Sequence, residues 1–414
     1  MDTTRMSQKE LYAGVVISKV IARTMTAVEA AADLGVVDRT IRRMKNKVKE
    51  GGVAALAHKS RGRPGNRRMP EAERAKIERL LKERYPDFKP GFAAEKLREI
   101  HGIDRDPKTV RSVMIDLGLW KADRRRRAKH RLWRERRSRL GELVQYDGSY
   151  EYWLEGRGGT GELCLLAAID DATGTIRHAS LEPHEGVLPT LAFWRHYAEK
   201  HGLPEGLYLD KFSTYRMNLK VAAENPDTKT QFSRVMGSLG VRLIFAQSPE
   251  AKGRVERLFK TLQDRLVKEM RLRGVDTVKE ANRFIEEEFL PDFNRRFGRP
   301  GRESGDCHRP LTPDERRRLD RIFCREDERT LLNDFTVPHG GRWYQLLPSP
   351  RLALRPKDKV TIRTTPDGAV SLWVREKPAN FRTIEKGRER IAPYRSQVKR
   401  TFLIPSHPDI SNSR

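Results

Sequence analysis

Three acidic residues are the best candidates for chemistry in this chain of 414 residues. Asp147 and Asp210 each close a short apolar run that predicts a β-strand, and Glu256 falls in a predicted helix that follows the last strand. In a sheet with alternating helices, catalytic groups gather at strand ends. Hard oxygen ligands of this kind hold Mg²⁺, and two such ions can activate an attacking oxygen and stabilise a leaving one in phosphoryl transfer.

The helix that carries Glu256 is predicted from its capping residues and from an apolar repeat. Ser248 suits the N-cap, and Pro249 suits the first helical position. The apolar repeat has helical spacing and consists of Ala251, Val255, Leu258, Leu262 and Leu266. Lys252, Glu256 and Lys260 are four residues apart on a neighbouring face. They could serve a metal ion and a phosphate backbone together, or form an ordinary row of surface ion pairs.

Around these residues, segment 141–300 has the pattern of an α/β domain. Strands come first, at 143–148, 162–169 and 175–181. Helices and strands then alternate, at 187–200, 207–210, 230–239 and 241–245. This order predicts a sheet of mixed direction. Asp170 and Asp171, in the turn after the second strand, are interpreted as structural because aspartate is common in turns for backbone reasons.

The composition indicates a polyanionic partner. Lysine and arginine number 84 against 57 aspartates and glutamates, a formal net charge of +27. Nucleic acid is the commonest partner of so basic a chain. Three cysteines are too few for a disulfide framework, and Cys307-His308 with Cys324 lacks the fourth ligand of a zinc site. No apolar run suggests a membrane span or a signal peptide, so we expect an intracellular protein.

Short helices over residues 1–57 predict a helix-turn-helix domain. Gly35-Val36 makes the turn after the second helix, and Asp38 is expected to cap the third. The outward face of that third helix carries Arg39, Thr40, Arg42, Arg43 and Lys45. A basic helix in this position enters the major groove of DNA. Helix pairs of this type also occur in protein–protein domains, so that alternative stays open.

Residues 70–120 repeat the pattern and predict a second helix-turn-helix domain. Asp106-Pro107 opens its last helix, whose outward residues include Lys108, Thr109 and Arg111. Two modules in tandem would lengthen the recognised DNA site. A small helical spacer domain is the alternative.

Two basic linkers flank this second segment. Residues 58–69 place Arg63 in a Gly-Arg-Pro-Gly stretch that could lie in a minor groove or act as a plain flexible linker. Residues 121–140 form an arginine-rich linker whose unbroken run is Arg124, Arg125, Arg126 and Arg127. Such a block repels itself unless phosphates neutralise it, which favours contact with a DNA backbone over a solvated linker.

Taken together, the motifs of residues 140–310 resemble the DDE transposases of the retroviral-integrase superfamily, and most closely the ISNCY-type insertion-sequence transposases. The matching stretches are Tyr146-Asp-Gly-Ser149, Trp153-Leu-Glu-Gly156, Ile169-Asp-Asp-Ala-Thr-Gly174, Leu207-Tyr-Leu-Asp210, Thr230-Gln-Phe232, Ser248-Pro249, Ala251-Lys-Gly-Arg-Val-Glu256, Leu262-Gln-Asp-Arg-Leu-Val-Lys268 and Phe293-Asn-Arg-Arg-Phe297. Each motif alone is a weak signal, whereas the ordered set is specific.

This resemblance implies an RNase H-like catalytic core whose metal-binding triad is Asp147, Asp210 and Glu256, with two Mg²⁺ ions per active site or Mn²⁺ in their place. It also implies that DNA faces Lys252, Arg257 and Lys260. In such enzymes water first cuts the element end, and the exposed 3′-OH then attacks target DNA. The expected partners are terminal inverted repeats and target DNA, held by at least a dimer at the nucleoid in a bacterial cytoplasm.

Two features depart from the retroviral pattern. The carboxylates are more widely spaced, so an insertion is expected between Asp210 and Glu256. The zinc-binding His/His/Cys/Cys head is absent, and the helix-turn-helix pair takes its place. Two other functions stay open: a DNA-binding regulator that uses the core as an inactive scaffold, and a simple metal-dependent nuclease.

Beyond residue 300 the pattern changes to short alternating strands. Residues 301–330 predict a charged helical linker, 331–380 a small β-barrel that is SH3-like by analogy with integrases, and 381–414 a basic tail. The barrel could present a basic face to DNA or serve as a dimerisation module. The expected fold class is therefore multidomain: an all-α tandem helix-turn-helix N-terminus, an α/β RNase H-like core and a small all-β barrel.

Overall fold

The computed structural model describes residues 6–58, 69–121, 135–209, 230–245, 253–350 and 352–385. The chain divides into two compact units, Met1–Pro86 with Arg111–Leu119, and Asp87–Val110 with Trp120–Arg414. None of the helices within the described ranges combines the length and the apolar character needed to cross a membrane.

The first unit begins with three helices: α1 (Gln8–Ile21), α2 (Ala27–Leu34) and α3 (Asp38–Gly51). A 3₁₀ turn at Val53–Leu56 follows them. Capping boxes, in which a hydroxyl and a glutamate satisfy each other's backbone N–H groups, begin α1 at Ser7 and α2 at Thr26. Gly35 ends α2 with a φ of 63°, a left-handed conformation that glycine adopts without strain. The predicted three-helix pattern with a glycine turn is confirmed.

The prediction that Asp38 caps the third helix is wrong. The residue before α3 is Val37, whose side chain makes no capping hydrogen bond, and Asp38 is already helical. Its carboxylate lies 2.9 Å from the guanidinium of Arg42, one turn along the helix. An acidic residue there still favours the helix, because the helix N-terminus carries partial positive charge.

The next three helices are α4 (Glu71–Glu83), α5 (Pro90–His101) and α6 (Pro107–Asp116). Each has a buried apolar face, for example Ile77 on α4, Leu97 on α5 and Val113 on α6. The division between the two compact units runs through this segment, because α4 belongs to the first unit and α5 to the second.

The second unit is built on a five-stranded sheet, and its elements in chain order are β1 (Val144–Glu151), β2 (Leu163–Asp170), β3 (Ile176–Glu182), α7 (Val187–His201), β4 (Gly206–Leu209), α8 (Gln231–Ser238) and β5 (Arg242–Phe245). The strand order is β3-β2-β1-β4-β5. Strands β1, β2 and β3 are antiparallel neighbours, whereas β4 is parallel to both β1 and β5. The predicted sheet of mixed direction is confirmed.

Both faces of this sheet are covered. One face packs under α9 (Gly253–Leu272), α10 (Val278–Phe284), a π-helical segment (Ile285–Phe289) and α11 (Leu290–Phe297). The other packs under α7, α8 and α13 (Leu319–Ile322), whereas α12 (Pro313–Arg317), which precedes α13, has no buried residue. Because β2 is buried along its whole length, its residues alternate between the two apolar cores. This arrangement fits the integrase-like core that the resemblance implied.

Helix α5 is anchored within the second unit by charged contacts to α9. Both carboxylate oxygens of Glu95 accept from Arg265, at 2.7 and 2.8 Å. The ammonium of Lys96, which is nearly buried, lies 2.6 Å from Glu269. A buried charge left without its partner is costly, so these pairs hold α5 against the core.

The C-terminal strands are β6 (Arg325–Thr330), β7 (Thr336–His339), β8 (Arg342–Leu346), β9 (Lys359–Thr364), β10 (Val370–Val374), β11 (Lys377–Ala379) and β12 (Phe381–Ile384). They form a four-stranded sheet, β11-β10-β9-β6, and a three-stranded sheet, β12-β8-β7, that share one apolar core. The all-β prediction is confirmed. A closed barrel is not seen, because the described hydrogen bonding leaves both sheets open.

Strand β6 lies inside the segment predicted as a charged helical linker. Its sequence, Arg-Glu-Asp-Glu-Arg-Thr, has no apolar alternation that would reveal a strand. It pairs antiparallel with β9, where Glu326 contacts Arg363 at 2.7 Å and Glu328 contacts Lys359 at 3.1 Å. Cross-strand charge pairs therefore take the place of the apolar pattern, which explains the missed strand.

Two asparagines protect the outer edge of the central sheet, where β3 has a free side. Asn282 accepts from the backbone N–H of Leu181 at 2.6 Å and donates to its carbonyl at 3.0 Å. Asn294 does the same with Ile176, at 2.8 Å for both bonds. Each side-chain amide thus supplies the donor and acceptor that a neighbouring strand would have offered.

We expect Asn294→Ala to lower the free energy of unfolding by about 1–3 kcal/mol, because it leaves a partly buried backbone N–H and C=O of Ile176 without partners. Urea unfolding followed by circular dichroism measures this change. Asn333→Ala, at an exposed asparagine, is the control and should change stability by less than about 0.5 kcal/mol. Equal unfolding midpoints for the two variants would contradict the edge-protection role.

Candidate active site on the central sheet

The prediction that Asp147 closes its strand is wrong: β1 continues to Glu151, and Asp147 lies in its middle, opposite Ala167 of β2. Side chains alternate along a strand, so Asp147 shares its face with Gln145 and Ser149. Tyr146 points the other way, into the core beneath α7, where its ring centroid lies 5.2 Å from that of Trp194. Asp147 is half-buried, which leaves its carboxylate within reach of a ligand.

Strand β4 runs parallel to β1, with Val144 opposite Leu207 and Gln145 opposite Tyr208. The carboxyl ends of the two strands therefore point the same way. The chain described for β4 stops at Leu209. Asp210, the second predicted carboxylate, lies outside the described residues. So do 211–229 and 246–252, which belong to the span between Asp210 and Glu256 where an insertion is expected.

Glu256 lies in the first turns of α9, and its side chain is exposed, as are those of Arg257 and Lys260. The apolar repeat predicted for this helix is buried against the sheet from Val255 to Leu266. Its predicted start, with Ser248, Pro249, Ala251 and Lys252, lies outside the described residues.

Helix α9 runs alongside β1 in the same direction. Near its start, Arg254 contacts Asp171, which lies beside the beginning of β1. Further along, the amide of Gln263 lies 3.4 Å from the hydroxyl of Ser149. The structure thus places Asp147 and Glu256 on two elements that pack together. Among the described residues, which exclude Asp210, no group of three His, Cys, Asp or Glu side chains forms a metal site.

Asp171 is a buried connection point for this arrangement. Its carboxylate accepts from the Gln145 amide at 2.7 Å and from the Arg137 backbone N–H at 2.9 Å, and it pairs with the guanidinium of Arg254. Its own N–H donates to the carbonyl of Leu143 at 2.9 Å. One side chain therefore ties together the chain before β1, β1 itself and the first turn of the helix that carries Glu256.

The adjacent Asp170 shapes the turn after β2. Its buried carboxylate accepts from the N–H of Gly141 at 2.9 Å and from both the N–H and the hydroxyl of Thr173 at 2.7 Å. With every strong interaction directed inward, Asp170 is structural, as the sequence predicted. Asp171 is structural too, but its pairing with Arg254 gave no local signal because 83 residues separate the two.

Cys164, the buried cysteine of β2, is not a candidate nucleophile. Burial raises the pKa of its thiol to about 12, and the negative charges of Glu185 and Asp147 act in the same direction. The thiol therefore stays protonated at neutral pH, and only the thiolate is reactive.

The residues predicted to bind DNA through the helical modules are mostly accessible. Arg39, Arg42 and Arg43 of α3 are exposed, whereas Thr40 and Lys45 are partly covered. On α6, the predicted residues Lys108, Thr109 and Arg111 are all exposed. The predicted DNA-binding residues of the two linkers lie outside the described ranges: Arg63, Arg124, Arg125, Arg126 and Arg127.

Comparison with known proteins points in one direction. A family model described as "Winged helix-turn helix" matches residues 16–75. "Putative transposase y4bF" of Sinorhizobium fredii (strain NBRC 101917 / NGR234) is 40% identical over 332 residues, which is 80% of this chain and 71% of that protein. "Transposase for insertion sequence IS1202" of Streptococcus pneumoniae is 29% identical and covers 71% of this chain and 69% of its own.

Solved structures of viral integrases are also similar to this chain. The simian T-cell lymphotropic virus intasome in complex with PP2A regulatory subunit B56 gamma matches 73% of this chain and 97% of its own at 14% identity, with a TM-score of 0.31. The HTLV-2 integrase catalytic core domain in complex with magnesium, in its dimeric form, matches 36% of this chain and 84% of its own chain at 16% identity, with a TM-score of 0.27.

Replacing Asp171 with Asn should lower the free energy of unfolding by about 3–5 kcal/mol, because it leaves the mostly buried guanidinium of Arg254 without its counter-charge. Thermal or urea unfolding measures the loss. The matched control is Asp314→Asn, which removes the same charge from an exposed pair with Arg318 and should cost no more than about 1 kcal/mol. An Asp171→Asn protein as stable as this control would show that the buried pair does not hold α9 in place.

Proposed function

Because this chain belongs to the insertion-sequence transposases, within the DDE transposases of the retroviral-integrase superfamily, we propose that it inserts its own element into DNA. In this proposal it binds the terminal repeats of the element and cleaves the DNA ends by metal-dependent hydrolysis. It then joins the free 3′-OH ends to target DNA. The observation that carries the proposal is the placement of Asp147 and Glu256 on two elements, β1 and α9, that pack side by side.

Asp147, Asp210 and Glu256 would hold the two Mg²⁺ ions, with Mn²⁺ as a substitute. Their oxygen donors suit such hard cations, and the half-buried Asp147 and exposed Glu256 leave room for DNA to approach. When bound, ions of this kind make water a stronger nucleophile and stabilise the leaving oxygen. The exposed Arg257 and Lys260, on the same helix as Glu256, would bind backbone phosphates and hold the DNA strand over the carboxylates.

The helical modules would supply sequence recognition. Domain 1–57 would place α3 in the major groove, domain 70–120 would do the same with α6, and the linkers at 58–69 and 121–140 would add phosphate contacts. Residues 141–300 would perform the chemistry, and the β-rich segment near 331–380 would bind DNA or another protomer. Pairing of two element ends calls for at least a dimer, acting on DNA at the bacterial nucleoid.

Replacing Glu256 with Gln should reduce strand transfer at least about 100-fold, because it removes a negative charge from the proposed metal site while Glu256 takes no part in the core. The assay combines labelled element-end DNA, a target plasmid and Mg²⁺ or Mn²⁺. Glu287→Gln, at an exposed glutamate of the π-helical segment, is the control and should act like the parent protein.

The products of the same assay separate the rival functions. Joined products from the parent protein that disappear in the Glu256→Gln variant would support the transposase. Cuts without joining would indicate a nuclease, and tight binding without either product would indicate a DNA-binding regulator. Strand transfer by Glu256→Gln at the parent rate would contradict the assignment of this residue.

Replacing Arg43 with Ala should weaken binding to terminal-repeat DNA, because this exposed arginine lies on the proposed recognition helix. If Arg43 contacts a base, binding free energy should fall by about 1–3 kcal/mol for the repeat duplex alone. If it contacts a phosphate, affinity should fall equally for both duplexes, and the slope of log affinity against log salt should decrease by about 1. Fluorescence anisotropy with specific and random duplexes distinguishes them. The control is Lys9→Ala on α1, and equal affinity of the two variants for both duplexes would argue against α3 as the recognition helix.

A further inference from the structure

A cavity of about 250 Å³ lies beside the candidate active site, within the second compact unit. It is lined by the chain before β1, the turn after β2, the first turns of α9 and the end of α11. Four arginines line it, and they come from three separate segments of the chain: Arg136, Arg254, Arg257 and Arg299. We refer to it as the arginine cavity.

Among the residues that the structure describes, most of the positive charge in the arginine cavity has no carboxylate partner. Asp170 and Asp171 also line it, but their carboxylates are committed to the turn after β2 and to Arg254. Within the described residues, Arg257 and Arg299 form no ion pair. Arg136 donates to the carbonyl oxygens of Asp171, at 3.1 Å, and Ala172, at 3.4 Å.

Arg136 lies close enough to the other three guanidinium groups for their charges to act on it. Burial lowers the pKa of this group, and the positive charges of Arg299, Arg254 and Arg257 lower it further. Like charges brought together in this way raise the energy of the folded protein, and an anion besides the two committed carboxylates would lower it. Planar guanidinium groups bind the oxygens of a phosphate or a carboxylate in pairs, and of these two anions a DNA backbone supplies phosphate.

The arginine cavity flanks the proposed catalytic carboxylates. Gln145 lines it and shares a face of β1 with Asp147, about 7 Å along the strand. Arg257, another lining residue, directly follows Glu256 on α9. Phe297 adds a partly exposed apolar wall, against which a sugar ring could pack.

We propose that the arginine cavity binds one backbone phosphate of DNA, adjacent to the phosphate that undergoes reaction, and so fixes the register of the strand in the active site. This inference rests on the proposed function for its register role, whereas the phosphate contact stands without it. At about 250 Å³ the cavity is smaller than the usual 300–1,000 Å³ of a small-molecule site, which suits a phosphate with its sugar better than a whole nucleotide cofactor.

The test measures DNA binding without divalent metal, so that no chemistry intervenes. The affinity of a labelled duplex of mixed sequence is followed by fluorescence anisotropy across a series of salt concentrations. Arg299→Gln should lower the slope of log affinity against log salt by about one, because one phosphate contact is lost. Arg257→Gln is the second variant, and both residues are exposed, so the fold should survive. Arg273→Gln, directly after the far end of α9, removes the same charge as a control and should keep the parent slope.

Competition by inorganic phosphate identifies the source of the phosphate. If DNA is the ligand, phosphate at the same ionic strength as chloride should not displace the duplex more than chloride does. Specific displacement from the parent protein, lost in Arg299→Gln, would assign the cavity to a free phosphate and overturn the proposal. A slope for Arg299→Gln equal to that of the parent would overturn it as well.

The two proposals fail in distinguishable ways. If Arg299→Gln lowers the salt slope while the parent protein joins no DNA, the phosphate contact stands and the transposase chemistry does not. If the parent protein joins DNA and Arg299→Gln leaves the slope unchanged, the chemistry stands and the arginine cavity has another role.

Discussion

The pairing of Asp171 with Arg254 is the constraint on which the candidate active site depends. A carboxylate with no solvent exposure must be neutralised, and the structure does this with a guanidinium from a helix 83 residues away in sequence. Because Gln145 of β1 and the backbone of Arg137 share the same carboxylate, the pair also fixes where β1 and α9 lie. Asp171, which is not part of the proposed triad, therefore positions the two elements that carry Asp147 and Glu256.

The charges of the second unit are divided between structure and function. Around α5 and α9, opposite charges meet in close pairs, such as Glu95 with Arg265 and Lys96 with Glu269, and these contacts anchor α5 to the core. In the arginine cavity, by contrast, four guanidinium groups gather and only that of Arg254 has a carboxylate partner among the described residues. The first arrangement is neutralised within the protein, whereas we assign an external anion to the second. This difference separates anchoring arginines from those we assign to DNA.

The central sheet itself is stabilised by ordinary means. Strand β2 contributes to both apolar cores, so burial of its two faces fixes its register against β1 and β3. The free edge of β3 is covered by Asn282 and Asn294, which come from the helices that follow α9. The Phe293–Phe297 motif that supported the resemblance therefore has a structural role through Asn294, besides the wall that Phe297 gives to the arginine cavity.

The sequence by itself determined the helices and strands of the core, because apolar periodicity and capping residues act over short distances. It predicted strands β1, β2 and β3, the helices and strands that alternate after them, and the buried apolar repeat of α9. It also predicted the structural character of Asp170 and Asp171. It missed β6, since charges paired across strands leave no apolar alternation, and it predicted a barrel where the described sheets stay open. Asp147 and Glu256 were identified from residue type and order, and their places in the triad remain predictions. Only the tertiary structure decided that Arg254 neutralises Asp171, that α5 is anchored to α9 and that Arg136 and Arg299 meet at one cavity. Contacts of this kind join residues far apart in the chain, so their energy depends on burial and on distances that no local pattern encodes.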